Sequence, residues 1–367
     1  MTGGVRECDV LVIGGGPAGL CAALAAASCG VGVIMAERDG HLGGQLAKQT
    51  HKFFGSARQF GGERGFLIAQ RLAAEAENAA GIEILTETPV LGIYEDGVAT
   101  LLHRGGHMKV RPRKIVAACG AAENFLAFEG NDLPGVCSAG AAETLINAQG
   151  VLPGRRALMV GGGNVGLMVA YQLLQAGMEV PALINHAPQI DGYWVHAAKI
   201  RRSGVPILNS TTIKSAYGNG QVEGAIICEV DENRQPLPGT ERRVECDLIC
   251  LAVGLSPLNG LCQQAGAALA YIPELSGHVP VTDEYLRTSQ EGLYAAGDAA
   301  GVEEAATAME EGKIAGLSAA VALGYGGTAA QEALTEAAAE LKRLREGPMS
   351  ERIRRGLAVL RSEVIKC

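Results

Sequence analysis

A glycine turn that occurs twice restricts this chain to few folds. Gly14, Gly16 and Gly19 make a G-x-G-x-x-G between an apolar run, Val10 to Ile13, and a small-residue run that reads as a helix, Ala18 to Cys29. A second apolar run, Val31 to Ala36, ends at Glu37. This order predicts strand, turn, helix and strand, the opening of a βαβ unit. Glycine is needed there because a side chain would block the tight turn, the approach of a pyrophosphate to the backbone, and the close packing of helix on strand. Phosphates would sit on unpaired N–H groups at the positive end of the helix dipole. Glu37, 18 residues after Gly19, stands where a carboxylate could accept hydrogen bonds from a ribose.

Residues 157–184 repeat the plan with a strand Ala157 to Val160, then Gly161, Gly163 and Gly166, a helix to Gln175 stopped by Gly177, and a strand Glu179 to Ile184. Gly14 and Gly161 are 147 residues apart, about the length of a domain. The elements after each turn also match. After the first come a helix, Leu67 to Ala79, strands broken at Glu95-Asp96-Gly97 and Arg104-Gly105-Gly106, and an apolar run into Gly120. After the second come a helix near Val195 to Ser203, breaks at Tyr217 to Gly220 and Pro236 to Gly239, and an apolar run into Gly254. A single G-x-G-x-x-G is weak; two in the same setting predict two dinucleotide-binding domains of α/β class.

Composition narrows the partners. Lys and Arg number 31 against 39 Asp and Glu, a net charge of −8, so no basic footprint favours nucleic acid or an anionic membrane. The apolar stretch Val10 to Ala36 is interrupted by Gly14-Gly15-Gly16-Pro17 and has no basic leader beyond Arg6, so it reads as neither a signal peptide nor a membrane span. Ten cysteines without a C-x-x-C pair spell neither a zinc site nor a disulfide scaffold, which fits a cytoplasmic protein. Cys246 and Cys250, on one predicted strand, would stand about 13 Å apart, too far to be bridged. His103 and His107 flank a turn and offer no metal face, so no metal site is expected.

A third element, Gly292 to Asp298, is an apolar strand running into Gly-Asp, followed by a helix over Val302 to Leu317. With this order of motifs the chain resembles, over residues 8–327, the two-dinucleotide-binding-domain flavoproteins, the superfamily of thioredoxin reductase and the pyridine nucleotide-disulfide oxidoreductases. The resemblance implies two Rossmann-like three-layer ββα domains, the nicotinamide domain inserted in a discontinuous FAD domain, with a C-terminal helical tail beyond. It implies an FAD site from Gly14, Gly16, Pro17, Ala18, Gly19, Glu37, Arg38, Gly44, Gln45, Gly120, Gly297, Asp298 and Ala305. It assigns Gly161, Gly163, Asn164, Val165, Gly166, Asn185 and Gly254 to NAD(P). The helix starting near Glu304 would aim its N-terminus at the flavin. The expected boundaries are 1–125 and 258–327 for the FAD domain, 126–257 for the NAD(P) domain and 328–367 for the tail.

Residues 49–66, Gly130 to Val136, Gly192-Tyr193 with His196 to Val205, and Leu344 to Pro348 look like the FAD/NAD(P)-dependent subunits of multi-component bacterial dehydrogenases. These include the glycerol-3-phosphate, sarcosine, opine and proline dehydrogenase-like complexes. The likeness implies an oligomeric electron-transfer subunit with a partner dehydrogenase or iron–sulfur subunit. The chain departs from the wider pattern in having no redox-active C-x-x-C, which argues against disulfide reduction. It departs from the closer group in having Asn185 where Glu is usual. With no arginine beside Asn185, NAD(H) is favoured over NADP(H). Cys119 stands where Thr is usual and reads as a packing substitution.

Three segments stay open to two readings. The loop carrying His51, Lys52, Arg58 and Arg64 among Phe53, Phe54 and Phe60 is either a lid that accepts an anion, with His51 and Lys52 as catalytic candidates, or a loop core with solvated charges. Trp194 reads as a packing residue ahead of a nicotinamide stack. The tail, with helices over Ala329 to Glu346 and Met349 to Ile365, carries Arg352, Arg354, Arg355, Arg361 and Lys366 against Glu351 and Glu363, either a docking arm for a partner or a solvated hairpin. The reading is an FAD-dependent oxidoreductase moving hydride between nicotinamide and flavin and electrons to or from a partner. The alternatives are a free-standing NADH oxidase or flavin reductase, and a non-catalytic scaffold with bound FAD.

Overall fold

The computed structural model describes residues 4–53 and 56–364, so Phe54, Ile365 and Lys366 lie outside the described residues. Two compact units emerge, one made of Met1–Ala47, Lys52–Ala122 and Leu255–Cys367, the other of Lys48–His51 and Glu123–Gly254.

The first unit opens with β1 (Arg6–Ile13), α1 (Pro17–Ser28) and β2 (Val33–Ala36), then α2 (Gly65–Asn78) and β3 (Ile82–Leu85). A meander comes next, β4 (Val90–Ile93), β5 (Ala99–His103) and β6 (Gly106–Ala117). The strand order is β3-β2-β1-β6-β5-β4, parallel from β3 to β6 and antiparallel beyond. β1 begins four residues before the apolar run because Arg6 to Cys8 pair with Val110 to Pro112, a long-range contact that no local pattern signals. Val10 to Ile13 are buried, as a strand covered on both faces requires. Each such side chain contributes about 1.5–3 kcal/mol.

After β7 (Ala121–Glu123), whose last residue enters it, the second unit takes the chain through β8 (Val136–Ser138), α3 (Ala139–Asn147), β9 (Ala157–Val160), α4 (Asn164–Gln175), β10 (Leu183–Ile184), α5 (Trp194–Arg202) and β11 (Ile207–Leu208). It closes with a three-stranded antiparallel sheet, β12 (Thr211–Tyr217), β13 (Gly224–Glu229) and β14 (Arg242–Glu245), and with β15 (Leu248–Leu251). The parallel sheet has the order β11-β10-β9-β15-β8. Two expectations change here. The strand expected from Glu179 shrinks to Leu183–Ile184, with Pro181 inside the stretch lacking an N–H for the ladder. The helix α3, not expected from the sequence, is capped by Ser138, whose Oγ accepts from Ala141 N at 3.2 Å.

The chain returns through β16 (Leu255–Pro257), α6 (Gly260–Gln264), β17 (Leu269–Ile272) and β18 (Gly277–Pro280) to β19 (Leu293–Ala295), which pairs parallel to β6. Then come α7 (Ala305–Ala322), α8 (Gly327–Leu344) and α9 (Glu351–Val364). The predicted helix from Val302 starts at Ala305 and runs on to Ala322. α7 lies against α1 closely enough that a Cβ on Gly312 would come 2.0 Å from Ala18 O, and one on Gly316 2.2 Å from Ala22 O. Leu334, Ala337 and Leu341 of α8 are buried in the same core as α1 and α7. Leu360 of α9 is buried with Ile272, Leu275 and Val279. The helical hairpin is therefore a packed part of the first unit. No helix among the described residues is long and apolar enough to cross a membrane.

Candidate functional site

Strand register gathers the first unit's motifs at one sheet edge. Ile13 pairs with Ala36 and with Ala117, and Ala117 pairs with Ala295, so Gly14, Glu37, Ala118 and Ala296 all leave the carboxyl ends of neighbouring strands. Ligands of open α/β sheets bind at such edges. The three motif glycines have different duties. A Cβ on Gly14, at φ +104°, would lie 2.3 Å from Ala118 O, and one on Gly19 would lie 1.8 Å from Gly14 O, so the fold itself requires both. At Gly16 the nearest atom would be Gly44 Cα at 3.9 Å, and its backbone is extended, open to any residue. Gly16 is the N-cap of α1 and offers no side-chain cap, and Pro17 follows at the first helical position. The space in front of this helix end is thus left clear, which fits the phosphates of a dinucleotide.

Glu37 underlies the turn. One carboxylate oxygen accepts Gly15 N at 2.5 Å and the other accepts Asp39 N at 2.8 Å. Gly43 N donates to Gly15 O at 2.8 Å, which brings Gly44 against Gly16 and leaves Gln45 exposed. Arg38 is exposed beside Asp39. Gly120 has φ +76° with open space around it.

At the late motif Gly297 has φ +67°, and its N–H donates to Glu311 Oε2 at 2.8 Å. Asp298 accepts Glu303 N at 3.4 Å, and burial, with the Glu303 charge adding, pushes its carboxyl up to about 6. Ala305 opens α7, with Glu304 at its N-cap. Glu311 and Glu303 are both held by Arg345, from the end of α8. The Arg345 Nε donates to Glu303 Oε2 at 3.1 Å, and Nη2 meets an oxygen of each carboxylate. Arg345 lies in the Leu344 to Pro348 segment that the resemblance marks, but nothing in the sequence pairs it with Glu303 and Glu311, because the contacts span 42 and 34 residues.

The loop of residues 49–66 is anchored by a residue whose partner, 251 positions along the chain, no local pattern signals. Gln59 is buried, accepts from Ser56 and donates to Glu310 Oε1 at 2.6 Å. Arg58 pairs with Glu336 at 2.8 Å, and Arg71 stacks over Phe60. Lys52 is exposed. His51 belongs with the second unit, its ring 6.4 Å from that of His196, and burial with His196 and Lys199 pushes it down to about 4. It is a neutral imidazole at pH 7.

The second unit repeats the division of labour. Cβ atoms on Gly161 and Gly166 would each lie 2.1 Å from a backbone oxygen, whereas at Gly163, again an uncapped extended N-cap, nothing lies within 4 Å. Gly192 N donates to Gly162 O as Gly43 does to Gly15 O, and Tyr193 N donates to Asn164 Oδ1 at 2.8 Å. Val165 is exposed on the first turn of α4, and Gly254 has φ +109°. Asn185 breaks the parallel with Glu37. Its amide donates to Gln189 O at 2.8 Å and Ala187 O at 3.3 Å, so a donor stands where the first unit has an acceptor. Trp194, expected to pack, is 67% exposed at the start of α5, with Arg201 5.9 Å from its ring.

This unit also holds a buried polar cluster that the sequence does not announce. Glu143 of α3 is pushed up to about 7 by burial, against the pull of Lys48 and a hydrogen bond from Gln172. Gln172 donates to Thr50 at 3.2 Å, and Lys48 donates to Gly140 O at 3.0 Å. The nine described cysteines are free thiols. Cys137 and Cys250 are register partners on β8 and β15, but Cys250 is fully buried, unlike the exposed pair a dithiol relay uses. Among the described residues no group of three or more His, Cys, Asp or Glu side chains could hold a metal ion.

Comparisons with known proteins agree with this geometry. An opine oxidase subunit of Agrobacterium tumefaciens (strain Ach5) is 27% identical over 330 residues, 85% of this chain and 65% of that protein. The alpha chain of sarcosine oxidase from Corynebacterium sp. (strain P-1) is 27% identical over 337 residues, 86% of this chain and 33% of that protein. The chain thus spans between a third and two thirds of these relatives' lengths. Among solved structures, L-proline dehydrogenase from P. horikoshii superposes with a TM-score of 0.68 at 25% identity, covering 91% of this chain and 60% of that one. Thioredoxin reductase from T. acidophilum, at 22% identity, shares the fold with a TM-score of 0.70, covering 87% and 99%. The profile of one family matches residues 8–312, from the first strand of the glycine-turn unit into the helix after Gly-Asp, and the chain belongs to that family, the pyridine nucleotide-disulphide oxidoreductases.

Proposed function

We propose that this chain is an FAD-dependent, NAD(P)-linked oxidoreductase subunit that exchanges hydride between nicotinamide and flavin, and electrons between that flavin and a partner subunit. The observation that carries the reading is the middle glycine of each turn. Gly16 and Gly163 are not needed by the fold, and both leave an uncapped helix end clear. Glu37, Gly44, Gly297 and Asp298 would hold FAD in the first unit, and Asn164, Val165 and the α4 N-terminus would hold the nicotinamide dinucleotide in the second. Bound there, FAD would supply the two-electron chemistry. The chain's own residues bind and orient, so no acid–base dyad is required of them, and His51 and Lys52 remain candidates for contact with substrate. The relatives are named as subunits of oxidases, which supports a partner subunit; in this reading the partner is a dehydrogenase or an iron–sulfur protein within an oligomer. In this reading the protein works in the cytoplasm.

Asn185 favours NAD(H) over NADP(H), since no arginine stands beside it for a 2′-phosphate. It also favours a second reading. With its amide committed to loop carbonyls, the second unit would bind nucleotide weakly and the chain would serve as a flavin-bearing scaffold. Anaerobic titration of the FAD-loaded chain with NADH and then NADPH tests both. Bleaching of the flavin band by NADH at substoichiometric enzyme supports the enzyme, a bound flavin silent to both nucleotides supports the scaffold, and a chain that refuses FAD removes both.

A further inference from the structure

We infer that Arg345, at the end of α8, is a positioning residue for the flavin, acting through Glu311 and Glu303 on the Gly297–Asp298 turn. This rests on the reading that FAD binds the first unit. Gly297 is in the left-handed region, and its N–H is tied to Glu311 Oε2 at 2.8 Å. A Cβ there would meet Ala18 at 2.8 Å, so the turn is pressed against α1. Asp298 is tied to Glu303 N at 3.4 Å. The turn is thus held by the Glu311 carboxylate and the Glu303 backbone N–H; burial, with the Glu303 charge adding, pushes Glu311 up to about 7 even with a cation against both carboxylates, and without that cation it would hold its proton more firmly. The Arg345 guanidinium is that cation. Its planar fork reaches both at once, a task for which the single ammonium of lysine is less suited. Arg354 in turn donates to the carbonyls of Arg345 and Gly347, which fixes the backbone that carries the fork. The hairpin thus does more for the first unit than fill its core. It favours the ionised form of Glu311 and holds the shape of the turn offered to the flavin.

The test compares FAD dissociation constants, from quenching of flavin fluorescence, for the wild-type full-length chain, Arg345→Met, Arg345→Lys, Glu311→Leu and Glu311→Gln. Arg343→Met is the control, since Arg343 is exposed on the same helix and pairs with Glu340, away from the turn. Arg345→Met and Glu311→Leu should weaken FAD binding tenfold or more and shift the visible band of the flavin that remains. Arg345→Lys should recover part of the affinity, and Glu311→Gln, which keeps an acceptor for Gly297 N but gives Arg345 no charge to pair with, should fall between Glu311→Leu and wild type, whereas Arg343→Met should stay within about threefold of wild type. Circular dichroism confirms folding. Should Arg345→Met fail to fold, Arg345→Lys and the two Glu311 variants carry the test. Folded Arg345→Met or Glu311→Leu with wild-type affinity and band position overturns the inference. A wild-type chain that takes up no FAD overturns instead the functional reading on which it rests.

Discussion

Replacing Gly16 by alanine should leave the protein folded and abolish the FAD binding proposed for the first unit. The backbone at Gly16, φ −77° and ψ −175°, suits alanine, and the added methyl would meet nothing closer than 3.9 Å. With no strain, the loss of unfolded-state freedom should stabilise the chain by about 0.4–1 kcal/mol. The same methyl projects in front of the α1 N-terminus, where the phosphate oxygens of the proposed FAD would approach. If two charge-assisted N–H bonds are lost at about 1.5–3 kcal/mol each, the total is about 3–6 kcal/mol. That corresponds to about 10²- to 10⁴-fold in affinity. Gly19→Ala makes the opposite case, since its methyl would lie 1.8 Å from Gly14 O and must force helix from strand. Urea unfolding of the apo chain, read beside the FAD dissociation constant, separates the two. Gly163→Ala is the matched variant in the second unit, expected to keep FAD and lose reduction by NADH. The reasoning fails if Gly16→Ala binds FAD as wild type does, or if it unfolds at lower urea.

Two further outcomes follow from buried contacts. Gly312→Ala puts a methyl 2.0 Å from Ala18 O, and the overpacking of about 1–3 kcal/mol should outweigh the helix-propensity gain of about 1 kcal/mol, lowering the urea midpoint. Gly260→Ala, with nothing within 4 Å, should not lower it, and equal behaviour of the two would contradict the contact. Glu143 titrates near 7 in the folded chain instead of 4.5, so the native state keeps a proton that the unfolded chain releases. Its contribution to stability is whole below pH 4.5 and is lost as pH rises through 7, by at most about 3 kcal/mol. Glu143→Gln should therefore gain on wild type across that window, and a difference independent of pH would rule this out.

The parts legible in the sequence are those set by neighbours along the chain. Both glycine turns, the strands that lead into them and the helices that follow sit where residues 10–37 and 157–184 announce them, because turn geometry and apolar runs are local properties. Gly312 and Gly316 could have been read as a close-packing pair from their spacing of four inside a helix. Gln59, Arg345 and Glu311 could not, since each is an ordinary polar residue until a partner from far along the chain meets it. Trp194 misled for the converse reason, as an aromatic ring reads as core wherever nothing local says it faces water. The short β10 shows a proline overruling an otherwise strand-like run.

The order in which the pieces of the first unit lie along the chain matters during synthesis. Residues 123–254 form most of the second unit as one contiguous stretch. The first unit must wait for β19, α7 and Arg345, roughly ninety residues later, or about 5–20 s at ordinary elongation rates. The guest therefore has time to fold on the ribosome before its host is whole, and the host's apolar sheet needs shielding in the interval. A nascent chain stalled before Arg345 would carry a finished second unit and a first unit still waiting for its last clasp.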